Sequence, residues 1–239
     1  MIYFLTSSSC TPGLPSLNPA NGFVEELKKA LTTPVHALFI TSAPDDVVFT
    51  DGVAVSTREN FSNSGIMFET YNTLDRRSAD KAKEFVGQAN LIVLSGGHTP
   101  TENFFFADIH LKELLQDYKG VLVGISAGSM NSAEVVYAQP EEKGEAIDPN
   151  FEKFLPGLGL TKIQIIPHYQ MIKDYMLDGK KLFEEVTYPD SIGHTFHAFP
   201  DGTFILGKDG REELRGEAYE IKDGVLTQIS RVGDILVVK

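Results

Sequence analysis

The 239-residue chain contains no tryptophan and a single cysteine, Cys10. One cysteine cannot close an intrachain disulfide or supply a thiolate metal cluster, and a lone cysteine ordinarily behaves as a small hydrophobe. Basic residues are also scarce. There are 21 lysines and arginines against 33 aspartates and glutamates, a net charge of −12. Such a surface repels a phosphate backbone, so nucleic acid is excluded as the expected partner. No run of about 18 apolar residues is present, so no membrane-spanning helix is expected. The opening Met1-Ile2-Tyr3-Phe4-Leu5 is apolar but short, lacks a basic leader and passes at once into polar Thr6 to Ser9, unlike a secretory signal. These absences lead to the expectation of a cytoplasmic protein, monomeric or homodimeric, without a membrane partner. Bulky packing falls to 16 phenylalanines and 8 tyrosines.

Short apolar runs alternate with amphipathic stretches. Ile2 to Leu5, Val35 to Ile40, Leu91 to Leu94 and Val121 to Ile125 have the length and β-branched content of buried strands, with Ile66 to Tyr71 a weaker candidate. Phe23, Val24, Leu27 and Leu31 recur at helical spacing. Two more helices are expected from Ser78 and from Thr101 towards Leu115, and a further one over Ile172 to Val186. This alternation predicts an α/β fold, a parallel sheet with helices on both faces, in which ligands bind beyond the carboxyl ends of the strands. After His194 the turn signals Asp201-Gly202, Lys208-Asp209-Gly210 and Asp223-Gly224 predict strands and a hairpin. No repeat or linker appears, and residues 1–239 read as one domain.

The chemistry is sought at the strand ends. Gly124-Ile125-Ser126-Ala127-Gly128 matches Gly-x-Ser-x-Gly between a strand and a helix-compatible stretch. A serine held at the tip of so sharp a turn needs small neighbours, and the following amide, on Ala127, then points from a helix N-terminus towards a developing oxyanion. Ser95-Gly96-Gly97-His98-Thr99 ends the neighbouring strand, so the Gly97 amide is the candidate second donor. The same two segments would also serve as plain strand-to-helix turns. Among six histidines, His168 ends a strand in the same region and is the candidate base. His98, His194 and His197 remain alternatives. Spacing does not choose the orienting acid, and Asp148, Asp174, Asp178 and Asp201 all stay open. No helix carries a zinc-binding His-x-x-x-His or His-Glu pairing, so neither metal nor cofactor is expected.

Taken in order, Ser95 to Thr99, Gly124 to Gly128, Ile147-Asp148-Pro149 and Ile166-Pro167-His168-Tyr169 resemble peptidase E, the aspartyl dipeptidase family of serine peptidases. The resemblance runs from Phe4 to about Leu206. It implies a flavodoxin-like sheet of the class I glutamine-amidotransferase type, followed by a C-terminal β-hairpin. It also implies Ser126 as nucleophile, His168 as base and the Gly97 and Ala127 amides as oxyanion hole. Pro200-Asp201-Gly202 occupies the place of the family's Pro-Glu-Gly turn, which makes Asp201 the implied acid, with Asp148 next. Short peptides, in particular dipeptides with an acidic first residue, are the implied substrates. Relatives that cleave after aspartate carry an arginine beyond the histidine. Here Tyr169 to Val186 holds only lysines, Lys173 nearest to His168, so Lys173 is the expected partner of an acidic side chain. Competing readings are a cyanophycinase-like peptidase with an acidic site for arginine, an α/β-hydrolase esterase, and a catalytically silent binding protein on the same scaffold.

Overall fold

The computed structural model describes residues 1–238. Its centre is an eight-stranded sheet. The parallel part consists of β1 (Ile2–Thr6), β2 (Val35–Ile40), β3 (Phe68–Leu74), β4 (Leu91–Leu94) and β5 (Val121–Ile125), in the spatial order β1-β5-β4-β2-β3. All four strands expected from their apolar runs are present, and the weaker candidate near Ile66 is β3, shifted towards Leu74.

Side chains alternate across β1, sending Phe4 to one face and Leu5 to the other. On the Phe4 side lie α1 (Phe23–Ala30) and α2 (Val47–Asn63), contributing Phe23, Leu27, Ala54 and Phe61. On the Leu5 side lie α3 (Ala82–Gln88), α4 (Thr99–Asp108) and α5 (Leu111–Leu114), contributing Val86, Phe105, Phe106 and Leu111. The sequence pattern did not point to α2, because Val48 and Val55 on it face solvent and blur the amphipathic stripe. Its start is set by Asp46, whose carboxylate accepts the Phe49 N–H at 2.9 Å.

Beyond β5 the helix α6 (Ala127–Met130) is a single turn, and the chain then pairs β6 (Val135–Tyr137) with β7 (Phe154–Pro156). β8 (Gln164–Ile166) leads to His168, and α7 (Tyr169–Ile172) follows. The expected helix over Ile172 to Val186 is corrected here. Asp178 and Gly179 both have positive φ, 52° and 80°, and turn β9 (Met176–Leu177) back on β10 (Lys180–Lys181), after which a π-helical turn spans Leu182–Thr187. An Asp-Gly pair with left-handed φ at both positions makes the tight hairpin turn that a helix cannot accommodate.

The C-terminal part is more than the expected hairpin. β11 (Thr195–Ala198) pairs in parallel with β8, and β12 (Phe204–Lys208) crosses to the large sheet, pairing antiparallel with β1. β13 (Arg211–Arg215) and β16 (Ile235–Val238) extend that sheet, while β14 (Ala218–Lys222) and β15 (Val225–Ser230) extend the β8–β11 pair into a second, four-stranded sheet. Phe199 to Thr203, the link between β11 and β12, therefore passes directly over the carboxyl ends of β1 and β8.

No helix among the described residues is long and apolar enough to cross a membrane.

Candidate active site

Four strand ends converge. At the end of β1 the Thr6 carbonyl accepts both the Ser126 N–H, at 3.1 Å, and the Ser129 hydroxyl, at 2.8 Å. The Gly128 N–H is donated to Ser95 O at the end of β4, at 3.0 Å. Closeness to β4 explains the second glycine of the motif: a Cβ on Gly128 would lie 2.6 Å from Leu94 Cβ and 2.7 Å from Leu94 O. Pinned on both sides, Ser126 takes φ 50° and ψ −109°. For a residue with a Cβ this is a strained conformation, held at a cost of about 1–3 kcal/mol by the surrounding structure.

Ser126 Oγ lies 3.0 Å from His168 Nε2, and His168 Nδ1 lies 2.8 Å from Asp201 Oδ1. His168 is itself in the left-handed region, φ 58°, and its N–H is donated to Ser7 Oγ at 2.8 Å. The Ser7 hydroxyl is in reach of both Asp201 Oδ1, at 2.9 Å, and Phe199 O, at 3.0 Å. The Asp201 N–H is donated to Gln170 Oε1. Partial burial works to raise the Asp201 pKa, but the hydrogen bond and charge of His168, helped by Ser7 and Gln170, outweigh it and hold the carboxylate below its ordinary range. A carboxylate at Nδ1 fixes the tautomer that leaves Nε2 able to take the Ser126 proton.

The Gly96–Gly97 turn abuts the serine: a Cβ on Gly96 would be 3.3 Å from Ser126 Cβ. The buried Ser42 hydroxyl, donated to Gly96 O at 2.6 Å, holds that turn from the β2 side. A side chain at Gly97 would overlap Ser42, with Cβ atoms 2.8 Å apart. Neither the Gly97 nor the Ala127 N–H has an acceptor among the described residues. Two unpaired amides flanking a serine hydroxyl form an arrangement suited to a developing oxyanion.

The other candidates lie elsewhere. Asp148 is exposed, its carboxylate accepting the N–H of Asn150 at 2.9 Å in a local turn, and it makes no bond to His168. Asp178 accepts the Gly144 and Ala146 N–H groups. His98 is bonded to Thr101 Oγ1 and Glu145 Oε1, His194 stacks on Phe154, and His197 is half-buried in β11. His98, Glu142 and Glu145 bring donor atoms within 4.8 Å of one another, yet His98 and Glu145 already bond each other there.

A cavity of about 230 Å³ opens beside Ser126 and His168. Met130, Pro140, Pro167, Ile172, Tyr175 and Leu182 form apolar walls, with Gln139 and Glu141 as further lining residues. Lys173 follows α7 on the exposed side and is not part of the lining, which contains no lysine or arginine among the described residues. The sequence reading did not single out Ser7, Ser42 or Glu141. The two serines at strand ends carried a positional signal. Glu141, in the run Glu141-Glu142-Lys143, looked like any solvated charge.

A match to the family model "Peptidase family S51" spans residues 3–213. The chain belongs to peptidase family S51. Two solved structures share its fold. One is a peptidase from an acI-B1 Actinobacterium, with a TM-score of 0.66 at 17% identity, covering 99% of this chain and 96% of that one. The other is a putative peptidase E protein from Listeria monocytogenes EGD-e, with a TM-score of 0.59 at 15% identity, covering 96% and 98%. A comparison with curated proteins finds no match. Family and fold make the chain a peptidase, hence a hydrolase, on a peptidase E-type scaffold.

Proposed function

We propose that the protein is a serine peptidase that hydrolyses short peptides through an acyl-enzyme on Ser126. The observation that carries this reading is the unbroken chain Ser126 Oγ–His168 Nε2–Asp201, with 3.0 Å and 2.8 Å between successive partners. In the reaction His168 Nε2 removes the Ser126 proton as Oγ attacks the scissile carbonyl carbon. The carbonyl oxygen takes up the negative charge between the Gly97 and Ala127 amides. As the tetrahedral adduct collapses, the C–N bond breaks and the imidazolium returns its proton to the leaving amine. Water, deprotonated by the same nitrogen, then cleaves the ester and restores the serine.

The small cavity supports peptides that present one terminal residue to the serine rather than long chains. The resemblance implies an acidic first residue with Lys173 as its expected partner, and that lysine lies outside the lining. The proposed function therefore stops at short peptides.

A fluorophosphonate probe tests the reading. Wild type should be labelled on Ser126, and Ser126→Ala should lose both labelling and peptide turnover, the latter by about 10⁶-fold. Undiminished labelling or turnover in that variant would remove the serine from the reaction. A silent binding protein on this scaffold would not label at all.

A further inference from the structure

The cavity beside Ser126 has one feature that hydrolysis itself does not require. Among apolar walls, Glu141 is its only carboxylate. Glu141 is exposed as a residue, but its carboxyl reaches back to buried Thr99. Oε1 accepts the Thr99 hydroxyl at 2.5 Å and lies 3.4 Å from the Thr99 N–H. Thr99 is the first residue of α4 and is fully buried, so the carboxyl is fixed from beneath the Gly96–Gly97 turn. No hydrogen bond reaches Oε2 from the described residues.

The charged groups around it are unbalanced. Glu145 stands beside it, its Oε2 accepting the N–H groups of Glu141 and Glu142 at 2.8 and 2.9 Å. Behind it Glu102 is buried on α4. His98, which bonds Glu145, offsets part of this negative charge, and His168 lines the same cavity with its ring bonded to Asp201 and Ser126. Exclusion of water pushes the Glu141 pKa up, with Glu145 adding to the rise and Thr99 and His98 opposing it. A crowded carboxylate with one oxygen unused and like charge at its side gains by pairing with a cation. A second carboxylate brought into the cavity would be repelled and left without a partner.

We propose, on the basis of the serine-peptidase reading, that Glu141 is a specificity determinant that receives a cationic nitrogen of the acyl-side residue. The aliphatic part of that residue packs on Ile172, Tyr175 and Leu182. Peptides with an acidic residue at this position are rejected. The nitrogen has two chemical sources, the free α-amino group of an apolar first residue or the side chain of lysine or arginine. Both place a hydrocarbon body and an ammonium or guanidinium in a cavity with these walls.

The test compares Leu-Leu, N-acetyl-Leu-Leu, N-acetyl-Lys-Leu, N-acetyl-norleucyl-Leu and Asp-Leu as substrates of wild type and of Glu141→Gln. One cationic member should exceed its neutral counterpart by about 10- to 100-fold in kcat/KM, the range of a charge-assisted hydrogen bond. Preference for Leu-Leu over its acetylated form assigns the α-amino group, and preference for acetyl-lysyl over acetyl-norleucyl assigns the side chain. In Glu141→Gln the favoured ratio should fall towards one, and Asp-Leu should improve relative to the others. Best cleavage of Asp-Leu by wild type, or unchanged ratios in the variant, overturns the inference. Should Glu141→Gln fail to fold, protection of wild-type Ser126 from the fluorophosphonate by leucinamide against 4-methylpentanamide, and by N-acetyl-lysinamide against N-acetyl-norleucinamide, gives the same two comparisons. Equal protection within both pairs rejects the inference. Labelling of Ser126 without charge discrimination sinks this inference alone, whereas no labelling sinks the serine-peptidase reading beneath it.

Discussion

Ser7 and Asp201 are 194 positions apart in the chain, and Ser7 Oγ is 2.9 Å from Asp201 Oδ1 while it also accepts the His168 N–H at 2.8 Å. One hydroxyl thus sets both the main chain of the proposed base and the carboxylate that orients its ring. Ser7→Ala should lower kcat by about tenfold with little change in KM, since it removes one charge-assisted hydrogen bond without touching the cavity. Steady-state kinetics on a single dipeptide suffice. A rise in KM at constant kcat would show that Ser7 shapes binding instead.

Asp201→Asn should cost about 10⁴-fold in turnover, the magnitude for replacing a triad aspartate with an amide that favours the wrong imidazole tautomer. The same variant carries a stability prediction. The folded pKa of Asp201 is depressed, so its stabilisation is present above the unfolded value of about 3.9 and is lost as pH falls through the lower folded value. The difference in unfolding midpoint between wild type and Asp201→Asn should therefore be steady near neutrality and shrink below about pH 4. A difference that widened in acid would contradict the assigned pairing.

Glu102 is fully buried on α4, with Oε2 accepting the Asn131 amide at 2.9 Å and Oε1 unpartnered. Burial raises its pKa well above the ordinary value, and the charge of Glu141 adds to the rise while Asn131 opposes it. A raised folded pKa contributes stability that is complete below the unfolded value of about 4.3 and is lost as pH climbs towards the folded one. Glu102→Gln keeps the shape and the Asn131 acceptor without a titrating proton. Its melting temperature should match wild type at about pH 4 and exceed it increasingly at higher pH. Parallel curves across that range would mean that Glu102 titrates normally.

Gly128→Ala places a methyl group against Leu94 and the Ser95 carbonyl, where the backbone would have to move. Overpacking of this kind costs about 1–3 kcal/mol. Because the displaced element is α6, whose first amide flanks Ser126, activity should fall more than the loss of folded protein accounts for. Urea denaturation and turnover measured on the same preparation separate the two effects. An unaltered urea midpoint would show that α6 moves away without cost.

Much of this arrangement was legible beforehand. The five-residue elbow, the glycine pair and the strand-ending His168 each depend on local sequence, and the parallel half of the sheet announced itself through short buried runs. Asp201 was reached through a resemblance rather than from spacing, because the β11–β12 link that brings it to His168 is set by long-range pairing. Lys173 lies outside the cavity lining for a related reason. Nearness to His168 in sequence said nothing about which side of α7 the lysine takes, and Lys173 follows that helix on the exposed side. Glu141 was illegible because its role depends on Thr99, a residue of another element, turning one carboxylate inward from a run of surface charge.

The central position of β1, between parallel β5 and antiparallel β12, has a consequence for synthesis. A growing chain carries the elbow serine well before the turn that bears Asp201, and β12, the strand that anchors that turn, pairs with the earlier β1. A partly synthesised chain thus holds the elbow serine with neither His168 held by Asp201 nor a closed site. The proposed site is assembled only when β12 comes back to β1, so the order of translation itself leaves the unfinished protein without it.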